Sequence, residues 1–110
     1  MRGATLLGSM RHLVTVEVPQ DTIDASGASH RSFYVFGQAW CHIQPVSLLS
    51  RFEADRKSGV VTHMITFRSI AAFSADWRFR LNARVFQVLA FDDGDENKGF
   101  TRASCEEVTP

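Results

Sequence analysis

At 110 residues, 45% hydrophobic and 22% charged, the chain is sized and composed for one globular domain and not for a disordered protein. Twelve Lys and Arg balance twelve Asp and Glu, so net charge gives no case for wrapping nucleic acid and leaves little repulsion between copies. No window approaches the roughly 18 consecutive apolar residues of a membrane span. The run Ala4-Thr5-Leu6-Leu7 is too short for a signal peptide, so a soluble intracellular protein without membrane contact is expected.

Residues 1–9 are small and lack a cap, which predicts a flexible arm ahead of a single domain over 10–110. A first strand is expected over 10–18, with His12, Val14, Val16 and Val18 on one face and Pro19 ending it. Residues 20–32 carry the turn chemistry of Asp21, Asp24, Ser26 and Gly27 and read as a long polar loop. A second strand over 33–44 is rich in aromatics (Phe33, Tyr34, Phe36, Trp40), and Gly37 within it suggests a bulge.

The segment 36–68 reads as strand, short helix, strand. Ser47 is a candidate N-cap, Ser50 and Glu53 have capping-box spacing, and Leu48, Leu49 and Phe52 form a narrow apolar stripe. Gly59 stops this helix, and residues 60–68 return as a strand. A loop over 69–76 follows, with Ile70 and Phe73 as its buriable residues. Then come a strand over 77–81, a tight turn at Asn82-Ala83, and a strand over 84–91 buried on both faces for part of its length. An acidic hairpin loop over 92–99 leads to the last strand, 100–108. About six short strands with one helix between central strands predict a mainly β protein, a small antiparallel barrel or sandwich.

Chemistry-bearing residues are sparse. Cys41 and Cys105 read as buried thiols before a disulfide. Cys41 and His42 are neighbours and face opposite sides of a strand, and no C-x-x-C or H-x-x-x-H spacing is present, so no metal is expected. The acidic loop lacks the ligand positions of a calcium loop. No nucleophile elbow, phosphate loop or dinucleotide fingerprint is present, so neither enzymatic activity nor a cofactor is expected. Arg78, Arg80 and Arg84 with Trp77 and Phe79 raise the alternative of a small barrel that stacks single-stranded nucleic acid. Alternation places those arginines opposite the aromatics, which is also the pattern of a barrel strand with one wet face.

The assembled pieces resemble the head–tail joining proteins of long-tailed phages, prophages and gene transfer agents, also called head-closure or stopper proteins. The resemblance is carried by Trp40-Cys41-His42-Ile43 with Pro45, and by Glu53 and Ala54 in the helix. It is strongest in Thr62-His63-Met64-Ile65-Thr66-Phe67-Arg68 and continues in Arg84-Val85-Phe86, Asp92-Asp93 and Cys105-Glu106-Glu107. Cys41 stands where the family has a small residue, and Asn82 or Ala83 where a glycine often precedes the Arg-x-Phe segment.

The resemblance implies a small β-barrel assembled as a closed ring, hexameric or dodecameric. Such a ring sits beneath the portal or its adaptor, above a tail terminator or tail tube, and retains packaged double-stranded DNA without reading its sequence. The region 47–61 is then implied to face the channel, with Arg51, Arg56 and Lys57 toward phosphates and Glu53 and Asp55 pairing between copies. Trp40, Ile43, Pro45, Thr62, His63, Ile65, Arg68, Arg84 and Phe86 are implied as the residues that define the family. Assembly would take place in the cytoplasm of the producing cell and end in the particle. A tail-side joining protein resembling a tail terminator is the alternative from the same particles.

Overall fold

The computed structural model describes residues 10–47, 59–92 and 99–108. They form six strands: β1 (His12–Ile23), β2 (Ser29–Pro45), β3 (His63–Arg68), β4 (Arg78–Leu81), β5 (Arg84–Asp92) and β6 (Phe100–Val108). Every pairing is antiparallel, and the strands close in the order β1-β2-β3-β6-β5-β4, back to β1. The expected antiparallel barrel is therefore present. The expected helix, with Arg51 to Lys57, lies outside the described residues, as do the arm 1–9 and most of the acidic hairpin loop.

Alternation along the strands fills the barrel. Val14 and Val16 of β1, Cys41 of β2, Ile65 and Phe67 of β3, Phe79 of β4, Phe86 and Val88 of β5, and Ala103 and Cys105 of β6 form one buried cluster. Val85 and Phe86 are adjacent and both buried, as the expectation of a two-sided strand requires. The connection between β3 and β4 turns inward at one end. Its Phe73 packs on Phe67, Trp77 and Phe91 at centroid distances of 4.9, 5.1 and 5.0 Å, an aromatic plug that closes that end.

Two departures of backbone chemistry have local explanations. Asn82 takes φ 56° in the turn between β4 and β5, a left-handed conformation that asparagine tolerates. Cys41 is fully buried in the barrel wall, where a small side chain is needed. Burial pushes its thiol up to about 12, and Cys105, buried nearby, is also raised; neither is in a disulfide.

The expected end of β1 at Pro19 and the long loop over 20–32 are both corrected. β1 runs on to Ile23, and β2 begins at Ser29, so the two strands extend beyond the barrel as a hairpin arm with a tight turn. The turn is held by Asp24, whose Oδ1 accepts from the backbone of Ser26 and Ala28 at 2.9 and 3.0 Å, with Gly27 at φ 88°. Proline is tolerated in β1 because past Glu17 the strand pairs with β2 alone, and one edge needs no donor. The bulge expected near Gly37 is present: Val16 pairs with Gly37, Glu17 with Val35, and Phe36 is the extra residue.

Candidate functional site

The segment 48–58 leaves the barrel after β2 and returns before β3, at the end opposite the arm. The strand order places the β4–β5 turn and the last residues of β6 at this same end, called here the mouth. Both feet of the segment are fastened. Val46 N donates to Thr62 O at 2.9 Å, continuing the β2–β3 ladder, and Thr62 N donates to Cys105 O at 2.8 Å. Gly59 has φ 115°, a backbone conformation that favours glycine.

Around the returning foot, Thr62, His63, Arg84 and Phe86 meet Glu107. Glu107 N donates to Thr62 Oγ1 at 2.7 Å, and Thr62 Oγ1 lies 2.9 Å from His63 Nδ1. The His63 ring stands edge-on to Phe86 at 5.1 Å, with its Nε2 at 3.5 Å from Arg84 Nη2 and 4.0 Å from Glu107 Oε1. Arg84 grips Glu107 with two parallel bonds, Nε to Oε2 at 2.8 Å and Nη2 to Oε1 at 3.1 Å, and its guanidinium lies 4.9 Å from the Phe86 ring centre. The Arg84 hydrogen bonds hold the Glu107 carboxyl below its ordinary value, and the pairing raises Arg84 in turn.

This network joins the starts of β3 and β5 to the end of β6 and fixes where the 48–58 segment re-enters. It is a brace. The carboxylate and guanidinium satisfy each other.

The structure sorts the other residues singled out by sequence. Ile43 and Ile65 are cross-strand partners, Ile65 fully buried and Ile43 packed against the core, while Pro45 pairs with His63 at the mouth. Trp40 and Arg68 lie apart from the mouth, on the outer wall. There Leu13 pairs with Trp40 across β1 and β2, and Arg68 lies 5.3 Å from the Phe100 ring centre. Arg51, Glu53, Asp55, Arg56 and Lys57 lie outside the described residues.

The aromatic residues expected to stack single-stranded nucleic acid are not at the surface. Trp77 and Phe79 are buried, Arg78 and Arg80 both reach Glu17, and Arg84 is taken by Glu107. Glu17 was missed as a site residue by sequence reasoning. It is 8% exposed, and only its cross-strand register with Arg78 signals a partner.

The barrel fold is shared with solved proteins. One is a Shigella flexneri 2a protein determined in solution, 18% identical, with a TM-score of 0.69 over 92% of this chain and 95% of that one. Another is a chain of the virion of a native gene transfer agent particle, 22% identical, with a TM-score of 0.65 over 91% and 96%. Both likenesses show the fold. No curated protein sequence matches the chain. The family is given by its sequence profile: residues 6–108 match the phage head completion proteins, and the chain belongs to that family.

Proposed function

We propose that the chain is a non-enzymatic, ring-forming head-closure protein of a phage-like particle. In this reading it sits below the portal or adaptor, retains packaged DNA and presents the tail with its docking surface. The observation that carries the proposal is the mouth. In a chain matched to head completion proteins over nearly its whole length, a segment bearing Arg51, Glu53, Asp55, Arg56 and Lys57 is fastened at both feet to a rigid barrel end. Arg51, Arg56 and Lys57 face DNA phosphates without reading bases, and Glu53 and Asp55 pair with the next copy. Repetition of one heterologous contact closes the ring, hexameric or dodecameric. Assembly begins in the cytoplasm of the producing cell and ends at the head–tail interface of the particle.

The test is a strain lacking the gene, with tails counted by electron microscopy and nuclease-protected DNA measured in the heads. Tailless heads whose DNA is lost or exposed are expected. Sealed, DNA-filled heads without tails would move the protein to the tail side, and normal particles would refute the connector.

A further inference from the structure

We propose that the hairpin arm of one copy seats in an apolar notch on the outer wall of the next, making the head-to-tail contact of the ring; this deepens the ring reading above and rests on it. The notch lies where β3 stops at Arg68 and β2 runs on. Phe36, Gln38 and Trp40 line it on the β2 side, Arg68 and Ile70 beyond, and Met10 completes it. β3 pairs with β2 only from Cys41 to Pro45. Among the described residues, β2 from Ser29 to Trp40 therefore has β1 on one side and no strand on the other. Tyr34, Val35, Phe36 and Trp40 are all more than half exposed along that free edge. An open apolar edge of this kind templates further pairing unless something covers it.

The other edge of the arm is guarded. Asp24 N bonds Ala28 O, so the pairs at Thr22–His30, Gln20–Ser32 and Val18–Tyr34 are the hydrogen-bonded ones in the alternation, and Pro19 falls between them. Its missing N–H therefore interrupts the outer edge of β1. The asymmetry directs a neighbour to β2.

The arm is prepared to be that neighbour's contact. Its base is held by Glu17, which pairs with Arg78 and with Arg80, the latter at 3.3 Å. The Arg78 guanidinium lies 3.7 Å from the Phe33 ring centre, and Phe36 packs on Trp77 at 5.1 Å. Nearer the tip, Arg31 holds Asp21 through two bonds, at 2.7 and 3.0 Å. A projection so fixed loses little freedom on docking.

Arm and notch also complement each other. Ile23 stands 76% exposed at the tip, an apolar knob for an apolar recess. Residues 19–32 hold two carboxylates, Asp21 and Asp24, against one arginine, Arg31. The notch holds Arg68 and no acidic residue. The tip at Ile23 and the notch from Phe36 to Trp40 are distinct positions of one copy, so a tip-to-notch contact repeats head to tail and closes if its rotation allows.

Cysteine trapping in assembled particles tests this. Cys41 and Cys105 are buried, so the pair Ile23→Cys with Gln38→Cys is read without background from them. Mild oxidation or a short bis-maleimide should give a ladder of multimers up to the ring size in the double variant and none in either single one. If the double variant does not fold, Ala25→Cys replaces Ile23→Cys at the exposed turn. Dimers from Ile23→Cys alone, or no ladder from particles that contain the chain, would overturn the contact while leaving head closure intact. A ladder that appears only after removal of residues 1–9 would show the notch filled by the chain's own start and also overturn it. Wild-type particles without the chain would refute the head-closure reading itself.

Discussion

Along β1, Val14 and Val16 are sealed inside the barrel, whereas Ile23 of the same strand stands 76% exposed at the tip of the arm. β2 repeats the contrast, with Cys41 fully buried and Val35 62% exposed. One pair of strands thus serves two purposes. Within the barrel, a side chain is placed by what it excludes from water. Along the arm, the hairpin is held by its own ladder, by the Asp24 turn and by cross-strand pairs such as Asp21–Arg31, and its apolar residues face outward. The difference teaches where stability resides, in the barrel, and leaves the arm free for the contact proposed above.

Substitutions at the two regions should separate accordingly. Phe67→Ala empties a fully buried ring from the centre of the aromatic cluster and should cost about 3–5 kcal/mol in denaturant unfolding. At the junction of the regions, Glu17→Ala leaves Arg78 and Arg80 without their carboxylate. With the guanidiniums partly solvated, a loss of about 1–3 kcal/mol is expected, together with faster amide exchange in the arm than in β5.

At the mouth, Thr62→Val removes the acceptor of Glu107 N and should cost about 1–2 kcal/mol. Acid sharpens the comparison further. The Glu107 carboxyl is lowered by its bonds to Arg84, and Asp24 is lowered to about 2 by Ser26, His30 and Ala28. A lowered carboxylate contributes stability above its unfolded value and loses it as pH falls through the folded one. The melting temperature should therefore decline as pH drops below about 4.5, first as the mouth loses Glu107 and last, near pH 2, as the arm turn loses Asp24. Glu107→Gln should flatten the upper part of that decline.

The barrel was legible because its strands alternate or, like β5, run apolar over a short stretch, and burial writes that pattern into sequence. Gly37 announced its bulge for the same reason: few other features explain glycine amid aromatics. The arm was not legible. With both faces exposed, residues 20–32 carry no alternation, and the concentrated turn chemistry of Asp24 to Gly27 spread in the reading over what are in fact paired strands. Pro19 misled because proline is excluded from paired edges but not from a free one.

At the mouth, Thr62, His63, Arg84 and Phe86 were named through the family resemblance, and the structure gathers them around Glu107. Their meeting could not be read from the chain, since it depends on β3, β5 and β6 sharing one barrel end. Glu17 was hidden for a related reason. It stands on the face opposite core-facing Val16 and is covered by arginines that β4 brings across from far along the chain.

The central claim, that the barrel folds the chain and the arm assembles it, is tested most directly by one variant. Ile23→Ser with Val35→Thr alters only exposed side chains and should change stability by no more than about 0.5 kcal/mol. Its thermal melt would be measured beside the yield of tailed, DNA-retaining particles it restores to a strain lacking the gene. An unchanged melt with the yield lost is the predicted result. Full restoration of particles by a variant that melts as the wild type does would contradict the account.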